Sequence, residues 1–254
     1  MGELARAGIV TVATIILLII VAVAVVLPYG ILVRATECGH FHAADRAPRA
    51  KISEVYDSLK TGDILLFASS VPVLSNIGIT QTLYSHAALL CRSGDIITTS
   101  EAQMGAELVP AASATATGAA AATHMRPGAA SAPLLTRIKY YSGRVYVMRL
   151  SRELDSARER RLTAAADALH RAEYPYPTAA QACAAAVFGT PAPARHCFQH
   201  VAYLLGVAGL GFGSGAGIIQ VCRDVCGIAN RPLADGFFYE SPIELLYDID
   251  ALTF

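Results

Sequence analysis

A single apolar block near the N-terminus constrains this 254-residue chain more than any other feature. No charged residue occurs between Ala7 and Val33. A helix of about 20 apolar residues spans the roughly 30 Å of bilayer hydrocarbon, and it satisfies its own backbone hydrogen bonds there. We therefore predict a transmembrane helix at 7–33, preceded by a short tail at 1–6. A cleaved signal peptide would have an apolar core of only about 7–15 residues.

Charge around this block predicts its orientation and its partner. Arg6 is the only basic residue before the block. Four basic residues follow the block as far as position 51, namely Arg34, Arg46, Arg49 and Lys51. The positive-inside rule therefore predicts a single-pass membrane protein whose C-terminal domain is cytoplasmic. The bilayer is the expected partner. A formal net charge of +0 and the lack of a basic stripe exclude nucleic acid as a partner.

The rest of the chain divides into a juxtamembrane linker at 34–50 and a folded domain at 51–254. Three short apolar runs in this domain, separated by turn residues, predict strands at 64–67, 85–91 and 96–100. A Gly-Asp turn joins the second run to the third, so the three form an antiparallel meander.

Two helices and a flexible insertion complete the predicted domain. Residues 106–133 are rich in Ala, Ser, Thr, Gly and Pro, with too few large apolar groups to offset the entropy of ordering, so we expect a flexible surface insertion. The alternating run at 144–150 predicts another strand. Helical spacing predicts an exposed-face helix at 151–171 and a mostly apolar helix at 195–207. The fold class is α+β.

Three residues of this domain suit nucleophilic catalysis. Cys197 opens the apolar helix, where free backbone N–H groups and the helix dipole favour a thiolate and could hold an oxyanion. His86 begins the second strand of the meander, and Glu101 ends the third. One hairpin can therefore place the imidazole beside the carboxylate, as a base beside the group that orients it. Taken singly, each residue is more often structural: a core cysteine, a satisfied histidine or a strand-end charge.

Other clusters offer weaker chemistry. The sequence Cys38-x-His40-x-His42 lies in the linker and lacks a fourth ligand for zinc. Cys222 and Cys226 stand one helical turn apart and could pair or ligate, but are more simply bystanders. We predict no metal and no cofactor.

The order of the motifs resembles a known family. Gly62-Asp63-Ile64-Leu65-Leu66-Phe67 is followed by Tyr84-Ser85-His86-Ala87-Ala88, by Glu101-Ala102, and much later by Cys197-Phe198-Gln199-His200 at a helix start. This pattern resembles the permuted papain-like amidases, the YiiX-like and poxvirus branch of the NlpC/p60 superfamily. The resemblance spans most of 51–247.

The resemblance implies a fold and three roles. The fold would be a circularly permuted papain-like (NlpC/p60) domain, with an antiparallel sheet packed on helices. Cys197 would be the nucleophile, His86 the general base and Glu101 the polar third residue. The family has Ser-Glu after its cysteine, whereas this chain has Phe198-Gln199. Cys-Phe-Gln-His is also similar to the Asn-Cys-Glu-His of lecithin:retinol acyltransferase-like proteins, which leaves the substrate open.

Three functions follow as alternatives. The first is a membrane-anchored cysteine hydrolase that cleaves an amide or ester through an acyl-enzyme, acting on a peptide, an isopeptide or a lipid ester. The second is a lipid acyltransferase or thioesterase that uses the same site. The third is a membrane-tethered scaffold with a hydrolase-like fold and no turnover.

Overall fold

A computed structural model of the chain describes residues 11–18, 20, 47–69, 84–103, 108–110, 122–124, 128–172, 196–211, 236–240 and 242–248. The chain divides into two compact units, Met1–Gly39 and His40–Phe254. In the first unit, residues 11–18 and 20 are helical and exposed. The rest of the transmembrane span predicted at 7–33, the tail at 1–6 and most of the linker at 34–50 lie outside the described residues.

The transmembrane helix is not found in the described part of the chain. There, no helix reaches both the length and the apolar character that crossing a bilayer requires. The span at 7–33 and the single-pass topology therefore stay predictions from the sequence.

The second unit is built on a mixed sheet. The described residues of this unit form nine strands, which are β1 (Arg49–Lys51), β2 (Ile64–Ser69), β3 (His86–Ser93), β4 (Ile96–Gln103), β5 (Leu108–Pro110), β6 (Ala122–His124), β7 (Gly128–Pro133), β8 (Gly143–Met148) and β9 (Ile243–Leu246). Seven of them form one sheet in the order β1-β9-β8-β2-β3-β4-β7, and β5 pairs separately with β6. All these pairs are antiparallel except β1 with β9.

Helices cover both faces of the sheet. They are α1 (Ile52–Val55), continued by a 3-10 turn at Tyr56–Ser58, then α2 (Leu134–Lys139), α3 (Ser156–Arg171) and α4 (Cys197–Val207). One core cluster joins alternate residues of β2, β3 and β8 to α3 and α4, and a second joins the intervening residues to α1 and α2. Alternation of side chains along each strand thus feeds two cores. The α+β class is confirmed.

The predicted meander is confirmed, and glycines with positive φ stand before its first strand and in the turn between β3 and β4. β2, β3 and β4 are sequential antiparallel neighbours. Gly94 has a φ of +59°, in the left-handed region that the two-residue turn between β3 and β4 requires. Gly62 precedes β2 with a φ of +97°, and a Cβ there would stand 3.0 Å from Leu154. Both positions therefore favour glycine on backbone grounds, and Gly62 favours it on packing grounds as well.

The insertion predicted at 106–133 is corrected at both of its described ends. Residues 128–133 form β7, which pairs along β4 from Thr98 to Gln103, and residues 108–110 pair with 122–124. Residues 111–121 lie outside the described part. The prediction failed because it weighed only apolar side chains. An edge strand is held by backbone hydrogen bonds, which small residues make as well as large ones.

The two predicted helices are confirmed with shorter N-terminal ends. Asp155 caps α3 by accepting hydrogen bonds from the backbone N–H groups of Ala157 and Arg158, so that helix starts at Ser156 rather than 151. His196 caps α4, which starts at Cys197 rather than 195. Capping side chains set both starts because they satisfy N–H groups that the helix cannot.

Candidate active site

Cys197 is the first residue of α4 and lies in the core. Its residue surface is only 4% exposed. The residues that follow on this helix, including Val201 and Leu205, are fully buried against the sheet and fix the helix axis. The sulfur is therefore held at a helix N-terminus, where the partial positive charge favours a thiolate.

His86 and Glu101 meet across the β3–β4 hairpin. Ala88 pairs with Glu101 in the register of the two strands, and His86 stands two residues earlier on the same strand. The His86 Nε2 atom lies 2.5 Å from Glu101 Oε2. The carboxylate is fully buried, whereas 15% of the His86 side chain is exposed. Because Nε2 is engaged by Glu101, Nδ1 is the ring nitrogen left for another partner.

Cys197 is the neighbour whose charge raises the pKa of His86 most strongly. Burial alone would raise the pKa of Cys197, but the charge and hydrogen-bonding effect of the neighbouring His86 side chain outweigh it and lower the pKa to about 5. Burial alone would lower the pKa of His86, but the charge and hydrogen bond of Cys197, with those of Glu101, raise it to about 9. The structure thus brings the three predicted residues together. Between these values the pair is a thiolate and an imidazolium.

Glu101 has two further partners that the sequence did not reveal. Arg137 of α2 donates from Nε to both carboxylate oxygens, at 2.9 and 3.0 Å, and is 4% exposed. Thr99 donates its hydroxyl to Oε1 at 3.0 Å. Burial alone would raise the pKa of Glu101, but the hydrogen bond with His86 and the charge of Arg137 lower it to about 2. Glu101 is therefore an anion at neutral pH.

Aromatic rings hold Arg137 in place. Its guanidinium carbon lies 4.8 Å from the ring centroid of Phe67 and 5.6 Å from that of Tyr141. Phe67 also contacts His86, with ring centroids 5.3 Å apart and ring planes tilted by 50°. Such cation–π contacts gain strength when they are removed from water. His86 and Glu101 therefore pack against the Phe67 ring and the buried guanidinium of Arg137.

His196 caps α4 beside the sulfur. Its Nδ1 accepts a hydrogen bond from the Phe198 backbone N–H at 3.2 Å and lies 4.0 Å from Cys197 Sγ. Its own backbone N–H donates to Gln199 Oε1 at 3.3 Å, which completes a capping box. The prediction overlooked His196 because the usual signal for a cap is Ser, Thr, Asp or Asn directly before the helix, and histidine is not among them.

A second polar cluster lies one helical turn from Cys197. Ser100 Oγ is 2.9 Å from His200 Nε2 and 3.1 Å from His170 Nε2. A hydroxyl has one proton, so it donates to one imidazole and accepts from the other. The cluster joins α3, α4 and β4. Burial lowers the pKa of His170, which favours a neutral ring, and the arrangement reads as structural.

Metal ligands form no cluster in the part of the chain that the structure describes. No group of three or more His, Cys, Asp or Glu side chains there could hold a metal ion. Cys38, His40 and His42 lie outside the described residues, as do Cys222 and Cys226.

Comparisons with known proteins add only a distant structural likeness. No family model matches the chain, and no curated protein matches it. Among solved structures, the chain is similar to the crystal structure of the metalloprotein yiiX from Escherichia coli O157:H7 (DUF1105), with 16% identity and a TM-score of 0.39. The match covers 74% of this chain and 97% of that one. A likeness this weak carries no argument about activity, so function rests on the side chains themselves.

Proposed function

We propose that this chain is a cysteine hydrolase that cleaves an amide or ester bond through an acyl-enzyme on Cys197. One observation carries the proposal: Glu101 bonds His86 across the β3–β4 hairpin, and His86 and Cys197 each shift the pKa of the other. The pKa values of about 5 for Cys197 and about 9 for His86 leave a thiolate–imidazolium pair at neutral pH. Such a pair is the activated form of a cysteine nucleophile.

The proposed reaction uses Cys197 as the nucleophile and His86 first as a general acid and then as a general base. The Cys197 thiolate adds to the carbonyl carbon, and the carbonyl oxygen takes up the negative charge. The intermediate collapses, the bond to the leaving group breaks, and the His86 imidazolium gives its Nδ1 proton to that group. His86, now neutral, takes a proton from a water that hydrolyses the thioester. Glu101 stays ionised and orients the imidazole.

Access to the sulfur is a separate step. Cys197 is 4% exposed, so a substrate carbonyl reaches it only after the groups that cover it have moved. We expect this opening to slow acylation. We expect no change in its pH dependence, because Cys197, His86 and Glu101 have the same ionisation states after the site has closed around the substrate.

The substrate class is a peptide or isopeptide amide, or a lipid ester. A second candidate, a lipid acyltransferase or thioesterase that shares the acyl-enzyme, is favoured by the apolar block at 7–33, which would hold the domain at a bilayer. A scaffold without turnover has no physical need for a buried ion pair, since isolated buried charges destabilise a fold.

The test is to trap the acyl-enzyme. Full-length protein is mixed with p-nitrophenyl acetate, and the burst of nitrophenolate and the acetylated peptide are measured. We expect one acetyl group on Cys197 and no burst from Cys197→Ser. The matched control is Cys91→Ser, because Cys91 is a second buried thiol whose pKa burial raises to about 12. Loss of the burst in the control, or acetylation elsewhere only, contradicts the proposal.

Acceptor choice separates the two candidates. Adding a lysophospholipid to the acetylated protein speeds loss of the thioester and yields an acylated lipid if the chain is an acyltransferase. A hydrolase releases acetate at the same rate with or without that acceptor.

A further inference from the structure

We propose that His196 is a further catalytic residue, whose Nε2–H donates a hydrogen bond to the oxyanion that forms when Cys197 attacks a carbonyl. This inference rests on the proposed function and deepens it. It concerns substrates that carry a carbonyl group, because attack by sulfur on an acyl carbon moves negative charge onto the attached oxygen.

The helix cap fixes the tautomer of His196. Nδ1 accepts the Phe198 backbone N–H at 3.2 Å, so its lone pair is in use and it carries no proton. In a neutral imidazole the proton must then be on Nε2. The cap therefore converts His196 into a donor at the far side of its ring.

That donor is buried without a partner among the described residues. His196 is 4% exposed, and Nε2 makes no hydrogen bond there. A buried N–H group left unsatisfied is costly, and buried polar groups in folded proteins are nearly always bonded. An unsatisfied donor beside a nucleophile is therefore a group held ready for an acceptor that arrives with the substrate.

The ring lies close enough to serve the reacting atoms. Cys197 Sγ is 4.0 Å from Nδ1, so Nε2, in the same five-membered ring, is within roughly 6 Å of the sulfur. Donors that stabilise an oxyanion stand about 2.7–3.1 Å from its oxygen. An oxygen on a carbon bonded to Sγ stands about 2.7 Å from the sulfur, so the assignment requires Nε2 within about 5.8 Å of Sγ and on the side from which the carbonyl approaches.

The helix itself offers fewer donors than its N-terminal position suggests. The Phe198 N–H, one of the N–H groups at the helix start, is occupied by the cap. The cap thus withdraws one backbone donor from the site and presents a side-chain donor instead.

The assigned step moves no proton through His196. Sγ forms a bond to the carbonyl carbon, and the π electrons move to oxygen, which becomes an oxyanion bound by Nε2–H. When the intermediate collapses, those electrons re-form the carbonyl, the leaving group departs with the His86 proton, and His196 is left unchanged.

Two substitutions separate the cap from the donor. His196→Asn keeps an acceptor at the Nδ1 position, and asparagine is a preferred helix cap, but it removes the Nε2–H group. His196→Gln places an amide N–H at the Nε2 position and removes the cap acceptor. In full-length protein at pH 7.5, each variant is assayed for acylation by p-nitrophenyl acetate and for alkylation by iodoacetamide. Alkylation proceeds without an oxyanion, so it reports the thiolate alone.

The expected result is a fall in the ratio of acylation rate to alkylation rate. We expect a loss of about 10²–10³-fold for His196→Asn, the usual effect of removing one oxyanion donor, and a loss of under about tenfold for His196→Gln. A ratio within about threefold of wild type in His196→Asn overturns the assignment. A wild-type thiol that is inert in both assays contradicts the proposed function itself.

A measurement on the wild-type chain needs no variant to fold. Nitrogen-15 chemical shifts of the imidazole at neutral pH report which ring nitrogen of His196 is protonated. A neutral Nε2–H tautomer supports the assignment, whereas a protonated Nδ1 overturns it.

Discussion

Replacing Arg137 by methionine tests whether the buried guanidinium stabilises the Glu101 carboxylate, as their contacts indicate. The substitution removes the guanidinium that donates to both oxygens of Glu101 at 2.9 and 3.0 Å. It keeps an unbranched side chain of similar length in the gap beside Phe67, so cavity formation is small. The loss is then mainly electrostatic.

The magnitude follows from what Glu101 retains. Removing one partner of a buried ion pair costs about 3–5 kcal/mol, because the other charge stays buried. Glu101 keeps the Thr99 hydroxyl at 3.0 Å and His86 at 2.5 Å, so we expect the lower end, about 3 kcal/mol. Domains are stable by about 5–15 kcal/mol, and the variant therefore still folds.

The assay is urea unfolding of the full-length protein. With a slope of about 2 kcal/mol per molar urea, the midpoint falls by about 1.5 M. The matched control is Arg144→Met, since the Arg144 side chain is 51% exposed and its nitrogen lies 3.7 Å from Glu244. Exposed pairs contribute about 0–1 kcal/mol, so the control shifts the midpoint by less than about 0.5 M.

Equal shifts in Arg137→Met and Arg144→Met would refute this reasoning. A double-mutant cycle with Glu101→Gln adds a second check. Contacting residues in one network couple by about 0.5–3 kcal/mol. Strictly additive losses of unfolding free energy would therefore also contradict an interaction between Arg137 and Glu101.

Three further predictions concern Glu101 and Gly62. Glu101→Gln removes a carboxylate that raises the pKa of His86, so the NMR titration midpoint of His86 falls below 9, and an unchanged midpoint contradicts the contact. The pKa of Glu101 is lowered from 4.5 to about 2, so its stabilisation is present above pH 4.5 and lost as pH falls toward 2. Stability curves of wild type and Glu101→Gln therefore converge in that window, and parallel curves contradict the shift. Gly62→Ala lowers the melting temperature more than Gly209→Ala, because both glycines have positive φ but only Gly62 also meets Leu154 at 3.0 Å; equal losses would mean that packing contributes nothing there.

The predicted part of the site came from local signals. The Gly94 turn between two apolar runs dictates one hairpin, and a hairpin fixes which residues face each other within a residue or two. His86 and Glu101 were therefore placed correctly as neighbours, and Cys197 was placed at a helix start because the apolar run at 195–207 follows Pro191-Ala192-Pro193.

The other parts of the site depend on contacts that the periodicity of apolar residues does not predict. Arg137 reaches Glu101 across 36 positions from a six-residue helix directly after the segment taken as an insertion. Since that segment lacks large apolar groups, nothing in its composition indicates β7, whose backbone completes the sheet edge at β4. His196 was overlooked for a different reason: histidine is not among the preferred cap residues.

The most direct test of an activated Cys197 is the pH dependence of its alkylation by iodoacetamide. The rate is followed on the Cys197 peptide by mass spectrometry, which separates it from the other five cysteines. The account predicts a titration midpoint near pH 5 in wild type. In His86→Ala the midpoint moves up toward the ordinary thiol value, with a loss of about tenfold or more in rate at pH 6. A wild-type midpoint near pH 8.5, or one that His86→Ala leaves unchanged, would contradict the account.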